Sequence, residues 1–94
     1  MSAVQRQCPI TAVEPIGQYT RLRLHAPDVA RAARPGNFVA LAVGGPTSSL
    51  LLRRAFAIYR TDAETVDIVV AAHGPGSQWL VAQRPGRVVD VVGP

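Results

Sequence analysis

The chain has 94 residues, 48% of them apolar and 17% charged, and carries a net charge of +4. This length supports one domain with one modest core, because so short a chain buries roughly 60–65% of the surface that it exposes when unfolded. The composition excludes a disordered segment, no apolar run approaches the ~20 residues of a membrane helix, and the all-Arg basic excess suits an anionic ligand, an acidic partner or nucleic acid without choosing among them. In chain order, residues 5–13 alternate well enough for a first strand, with Cys8, Ile10 and Ala12 on one side. Glu14-Pro15-Ile16-Gly17 reads as a turn. Residues 19–24 form a half-buried strand, with Thr20, Leu22 and Leu24 facing one way and Tyr19, Arg21 and Arg23 the other.

A polar stretch from Pro27 to Ala33 has room for one helical turn, with Asp28 as its N-cap. Arg34-Pro35-Gly36-Asn37 is a turn, and residues 38–43 are a third strand. The breaker cluster over 44–49 predicts a surface loop. Residues 50–59 are apolar strand formers interrupted by Arg53 and Arg54, and residues 61–64 turn the chain. Residues 65–71 give a fifth strand, with Val66, Ile68 and Val70 on one face. Gly74-Pro75-Gly76 ends that strand, and Ser77 is the expected N-cap of a helix running to Gln83. After Arg84-Pro85-Gly86, residues 87–92 form the last strand. Six short strands and one short late helix predict an all-β fold, a six-stranded antiparallel β-barrel, since closure removes exposed edges.

Chemistry concentrates in two places. In Arg53-Arg54-Ala55-Phe56-Ala57-Ile58 a regular strand sends the two arginines to opposite faces, so one at most meets a given ligand. Phe56 and Ile58 share the face of Arg54, giving a row of cation, aromatic and branched aliphatic. From charge pattern alone, both a solvated bend and a pyrophosphate contact remain open for the arginines, and core packing is the commoner fate of a lone Phe. In Gly74-Pro75-Gly76-Ser77, glycine permits close backbone approach and the helix start offers unpaired amides. Ordinary turn and capping chemistry explains the same residues. Together the two segments point to a dinucleotide with an aromatic head, best met by FAD.

The remaining candidates are weaker. Cys8 is the single cysteine, which rules out an internal disulfide within one copy of the chain. No metal spacing involves His25 or His73, and no catalytic residue is identified, so any chemistry belongs to a cofactor. His73 lies near the proposed pocket by sequence. Aromatics make up 5% of the chain and are not interleaved with the arginines, which disfavours a basic nucleic-acid-binding barrel.

Pro35-Gly36-Asn37-Phe38-Val39, Leu52 to Arg60, Gly74 to Leu80 and Pro85 to Pro94 follow one order. That order resembles the FAD-binding barrel of the ferredoxin–NADP reductase superfamily, and within it the electron-transfer subunits of two-subunit, NAD-dependent dihydroorotate dehydrogenases. The resemblance implies that Arg54 contacts FAD near its phosphates and that Ala55, Phe56 and Ala57 line the flavin. It also implies further contacts near Val69, Val70 and Ala71, with Gly76 and Ser77 holding the pyrophosphate. Two departures stand out: Ala57 where the family often has Ser or Thr, and Ala55 in place of a proline.

By the same resemblance, residues 1–94 are an FAD-binding β-barrel domain. The NAD-binding domain and the two-iron, two-sulfur cluster domain expected C-terminally are absent from it. The implied role is relaying electrons between NAD(H) and an iron–sulfur centre in pyrimidine biosynthesis, with an FMN-containing catalytic dihydroorotate dehydrogenase subunit as partner. Neither nucleic acid nor a membrane is expected as partner, the setting is cytoplasmic, and the isolated domain is not expected to act alone as an NAD-dependent oxidoreductase. The FAD domain of an oxygenase reductase or a flavin reductase is the alternative.

Overall fold

The long first strand explains how the barrel closes. In the computed structural model, which describes residues 4–34, 36–43 and 53–94, β1 runs from Val4 to Ile16. Its first half pairs with the last strand, β6 (Val88–Gly93), from Val4↔Gly93 to Pro9↔Val88. Its second half pairs with β2 (Tyr19–His25), from Ile10↔Leu24 to Ile16↔Tyr19. A bulge between Ile10 and Ala12 bends β1 where it passes from one partner to the other. The strand therefore continues through the turn expected at Glu14–Gly17. Pro15 is tolerated there because that half of β1 pairs on one side, and the reversal falls on Gly17-Gln18, where Gly17 takes φ +62°.

Three more strands complete the sheet. β3 is Phe38–Ala42, β4 is Arg53–Thr61 and β5 is Thr65–Val70. With these, the closed order is β1-β2-β5-β4-β3-β6, and every neighbouring pair is antiparallel. The loop expected over 44–49, the turn residue Pro35 and the first residues of the fourth strand, 50–52, lie outside the described residues.

Two helices are present among the described residues where one was expected. The stretch after β2 forms α1, Pro27–Ala32, which buries Val29 against the barrel. Its N-cap is Ala26, not Asp28; the Asp28 carboxylate instead takes a 2.9 Å bond from Arg6 Nε and pairs with Arg31. The later helix, α2, spans Pro75–Val81 and starts two residues before Ser77. Gly74 is its N-cap, in extended conformation (φ −132°, ψ 175°). Proline explains the offset: its fixed φ and missing N–H suit the first helical position, so Pro75 opens the helix and Ser77 falls in its first turn.

The core fills the barrel by strand alternation. Leu22 and Leu24 of β2, Val39 and Leu41 of β3, Val66, Ile68 and Val70 of β5, and Val89 and Val91 of β6 are all buried, joined by Ile10 and by Leu80 from α2. Phe56 and Ile58 of β4 pack against this cluster but remain half-buried. On the outer face, Asp67 is only 2% exposed because the Arg23 guanidinium covers it with bonds of 2.9 and 3.2 Å. Those bonds and the opposite charge raise the Arg23 pKa further and keep the group cationic.

Candidate functional site

The register of β4 against β3 decides what each of the two adjacent arginines can do. Arg54 stands opposite Leu41 and Phe56 opposite Val39, so both belong to the inward-facing row. Arg53 stands opposite Ala42 on the outer face. There Arg53 Nη2 reaches Asp90 Oδ1 of β6 at 2.6 Å, across the intervening β3. Gln7 of β1 donates to the other carboxylate oxygen at 2.7 Å. Arg53 is thus committed to a structural ion pair. Asp90 as its partner was not legible in the sequence, because only the long-range register brings the two together.

Arg54 is at the end of its row, where the inward face leaves the core and meets the start of α2. A cleft of about 340 Å³ opens at this point. One wall is Arg54, Ala55 and Phe56 from β4; the other is His73, Gly74, Gly76 and Ser77. Among the described residues no carboxylate pairs with Arg54 or lines the cleft. The two segments singled out in the sequence, twenty residues apart, therefore face one another across a single opening.

Gly76 is what lets them approach. A Cβ at this position would lie 2.8 Å from Val43 Cγ2 and 3.6 Å from Arg54 Nε. The start of α2 is thereby seated directly on the buried Val43, with its backbone beside the guanidinium. The first intrahelical bond joins Gln78 N–H to the Gly74 carbonyl at 2.8 Å, so the Gly76 and Ser77 amides precede the hydrogen-bonded ladder. A cationic fork, two unladdered amides, a serine hydroxyl and an aromatic edge make a donor set suited to a diphosphate carrying a ring system. Glycine is the only residue that fits at position 76 without displacing a wall of the cleft.

The other expected contacts lie differently. Ala57 is exposed on the outer face, opposite Phe38, which is 59% exposed. Val69 and Ala71 are half-buried, and the Val70 side chain is in the core. None of these four lines the cleft. His73 and Gly74 do line it, and Val43 supports it; the glycine loop itself signalled the first two, whereas nothing in the sequence marked Val43.

A second opening, of about 280 Å³, is also cationic. Arg34 and Arg60 line it beside Tyr59, and the Arg60 guanidinium lies 6.0 Å from the Tyr59 ring centre. It has no helix start and no glycine held against a buried wall, so charge alone does not select the site; the convergence of cation and backbone donors does. On β1, Cys8 is 1% exposed, and burial, aided by Asp90, pushes its thiol pKa up. That disfavours the thiolate and leaves Cys8 a packing residue. No helix among the described residues is long and apolar enough to cross a membrane.

No protein-family model matches the chain. It is 35% identical over 75 residues to the electron transfer subunit of dihydroorotate dehydrogenase B (NAD(+)) from Desulforamulus reducens, a match covering 78% of this chain and 28% of that protein. The subunit of the same name from Shouchella clausii is 40% identical over 68 residues, or 70% of this chain and 26% of that protein. The chain spans about a quarter of the length of these curated relatives. Among solved structures, an NADH-dependent reduced ferredoxin-NADP oxidoreductase superposes with a TM-score of 0.82 at 25% identity, over 95% of this chain and 32% of the other. A siderophore utilization protein from T. fusca superposes with a TM-score of 0.81 at 22% identity, over 100% of this chain and 46% of the other.

Barrel order, the helix between β5 and β6 and these superpositions give the chain the fold of the ferredoxin reductase-like β-barrel domains. Within that class, its sequence similarity is to the electron transfer subunits of dihydroorotate dehydrogenase B.

Proposed function

We propose that this domain binds FAD, with the diphosphate held in the cleft between Arg54 and the start of α2. The observation that carries the reading is the convergence of Arg54, Phe56, Gly76 and Ser77 on one opening that, among the described residues, no acidic side chain lines. At about 340 Å³ the cleft is near the small end of ligand sites, which run from roughly 300 to 1,000 Å³. It therefore suits the diphosphate and adjoining groups, with the rest of an extended dinucleotide lying along the barrel.

The residues present fit this group. Arg54 contributes charge-assisted bonds, the Gly76 and Ser77 amides and the Ser77 hydroxyl complete the clamp, and Phe56 with Ala55 borders the ring system. Ala57 and the strand Val69-Val70-Ala71 are assigned to the flavin's flanks. Flavin supplies the redox chemistry once bound, and the protein supplies position and electrostatics. Ala57 offers no hydroxyl to the ring, so flavin contacts on that side are limited to its methyl group and main chain.

For the whole protein we propose electron relay between NAD(H) and an iron–sulfur centre, in support of dihydroorotate oxidation in the cytoplasm. The nicotinamide-binding domain and the two-iron, two-sulfur cluster would lie outside these 94 residues. The partner would be an FMN-containing catalytic dihydroorotate dehydrogenase subunit. The names of the relatives from Desulforamulus reducens and Shouchella clausii support this role.

The test is an FAD titration of the purified protein, followed by flavin absorption and fluorescence, alongside riboflavin, which has the ring but no phosphate. Saturable binding of one FAD per chain, with riboflavin much weaker, is the expected result. Equal binding of the two, or binding of neither, would overturn the diphosphate clamp.

A further inference from the structure

The cleft contains a further potential hydrogen-bond donor to phosphate, beyond those of the strand motif and of the Gly74-Ser77 turn. His73 lines it from the side opposite Arg54, immediately before Gly74, and its side chain is exposed to the opening. Its position is fixed from the backbone: the His73 N–H donates to the Ala71 carbonyl at 3.0 Å, which curls the chain between β5 and α2. Among the described residues His73 has no carboxylate partner. The other histidine, His25, is 3.8 Å from Glu64 and outside the cleft. The titratable and charged groups facing His73 are few. β4 contributes Arg54, α2 contributes the neutral Ser77, and among the described residues no acidic group lines the cleft.

We propose that His73 is a diphosphate-binding residue whose charge makes cofactor affinity depend on pH, a proposal that rests on the flavin reading above. Without ligand, a second cation beside Arg54 has nothing to offset it. With a diphosphate between them, a protonated imidazole meets two anionic charges instead of one guanidinium. Histidine is the side chain whose charge ordinarily changes between pH 5 and 8. The diphosphate diester keeps both of its charges over that interval, so a pH response there reports on the protein. The contact is solvent-exposed, and exposed charge pairs are weak. The expected gain in affinity is therefore about two- to fivefold between pH 8 and pH 5.5.

FAD affinity is measured by fluorescence at pH 8 and pH 5.5, at fixed ionic strength, for the wild type, His73→Gln and His73→Arg. The wild type should bind more tightly at the lower pH. His73→Gln should bind FAD more weakly than the wild type at pH 5.5 and lose the pH response. His73→Arg should bind tightly at both pH values. A wild type that binds FAD without a pH response, or a response that survives in His73→Gln, would overturn the role of His73 and leave the flavin reading intact. Failure of every protein to bind FAD at either pH would overturn both.

Discussion

Replacing each of the two neighbouring arginines separately gives a sharp contrast, because the barrel assigns them to opposite faces. Arg54→Ala removes the only fixed cation that the described residues bring to the cleft. A hydrogen bond to a charged group contributes about 1.5–3 kcal/mol, and each 1.4 kcal/mol is tenfold in affinity. FAD binding should therefore weaken by about ten- to a hundredfold, with little change in thermal stability, since Arg54 is exposed and unpaired among the described residues. Arg53→Ala breaks the 2.6 Å contact with Asp90, whose partners are 33% and 23% exposed. An ion pair that open to water is worth about 0.2–1 kcal/mol of stability, and FAD affinity should stay within about threefold of the wild type. Parallel FAD titrations and thermal melts of the two variants read both quantities. Equal losses of affinity, or a larger loss for Arg53→Ala, would refute the facing deduced from the Leu41↔Arg54 and Ala42↔Arg53 pairs.

Three other outcomes follow from particular contacts. Gly76→Ala places a methyl 2.8 Å from Val43 Cγ2; the branched valine has little freedom to yield, so the variant should lose about 1–3 kcal/mol of stability and bind FAD more weakly, as melts and titration would show. Asp67→Asn leaves Arg23 without its carboxylate, but Arg23 is 37% exposed and can turn to water, so chemical denaturation should show a loss of about 1–3 kcal/mol rather than unfolding. The Cys8 thiol has its pKa raised by burial, then by Asp90 and Asp28 against the opposing Arg6. The folded state therefore holds that proton more tightly than the unfolded one. The stabilisation is complete below the ordinary thiol value of about 8.5 and is lost as pH rises past it. Iodoacetamide at pH 8 should label Cys8 slowly in the native protein and rapidly in denaturant.

Much of the barrel was legible in the sequence because alternation reports directly on which face a residue takes. Tyr19 to Leu24 and Thr65 to Val70 alternate, and each became a strand with the expected residues inside. What failed were the signals that depend on competition between neighbouring residues. Pro15 looks like a terminator, yet it is accommodated where β1 pairs on one side. Asp28 and Ser77 are good capping types, but each follows a proline within two residues, and the proline claimed the first helical position in both helices. At the site, local sequence gave the shared face of Arg54 and Phe56. The closure that brings Gly76 against Val43 and Arg54 depends on contacts between residues more than twenty apart. The Arg53–Asp90 pair, which separates one arginine from the other, spans 37 positions and leaves no local trace.

The central claim is a diphosphate gripped between Arg54 and the Gly76-Ser77 backbone. Amide and arginine side-chain NMR shifts of isotope-labelled protein, followed while FAD is added, test it most directly. The account predicts that the largest saturable shifts fall on the Gly76 and Ser77 amides and on Arg54 Nε, with Arg34 and Arg60 little changed. Shifts centred on Arg34, Tyr59 and Arg60, with Gly76 and Arg54 unmoved, would contradict it.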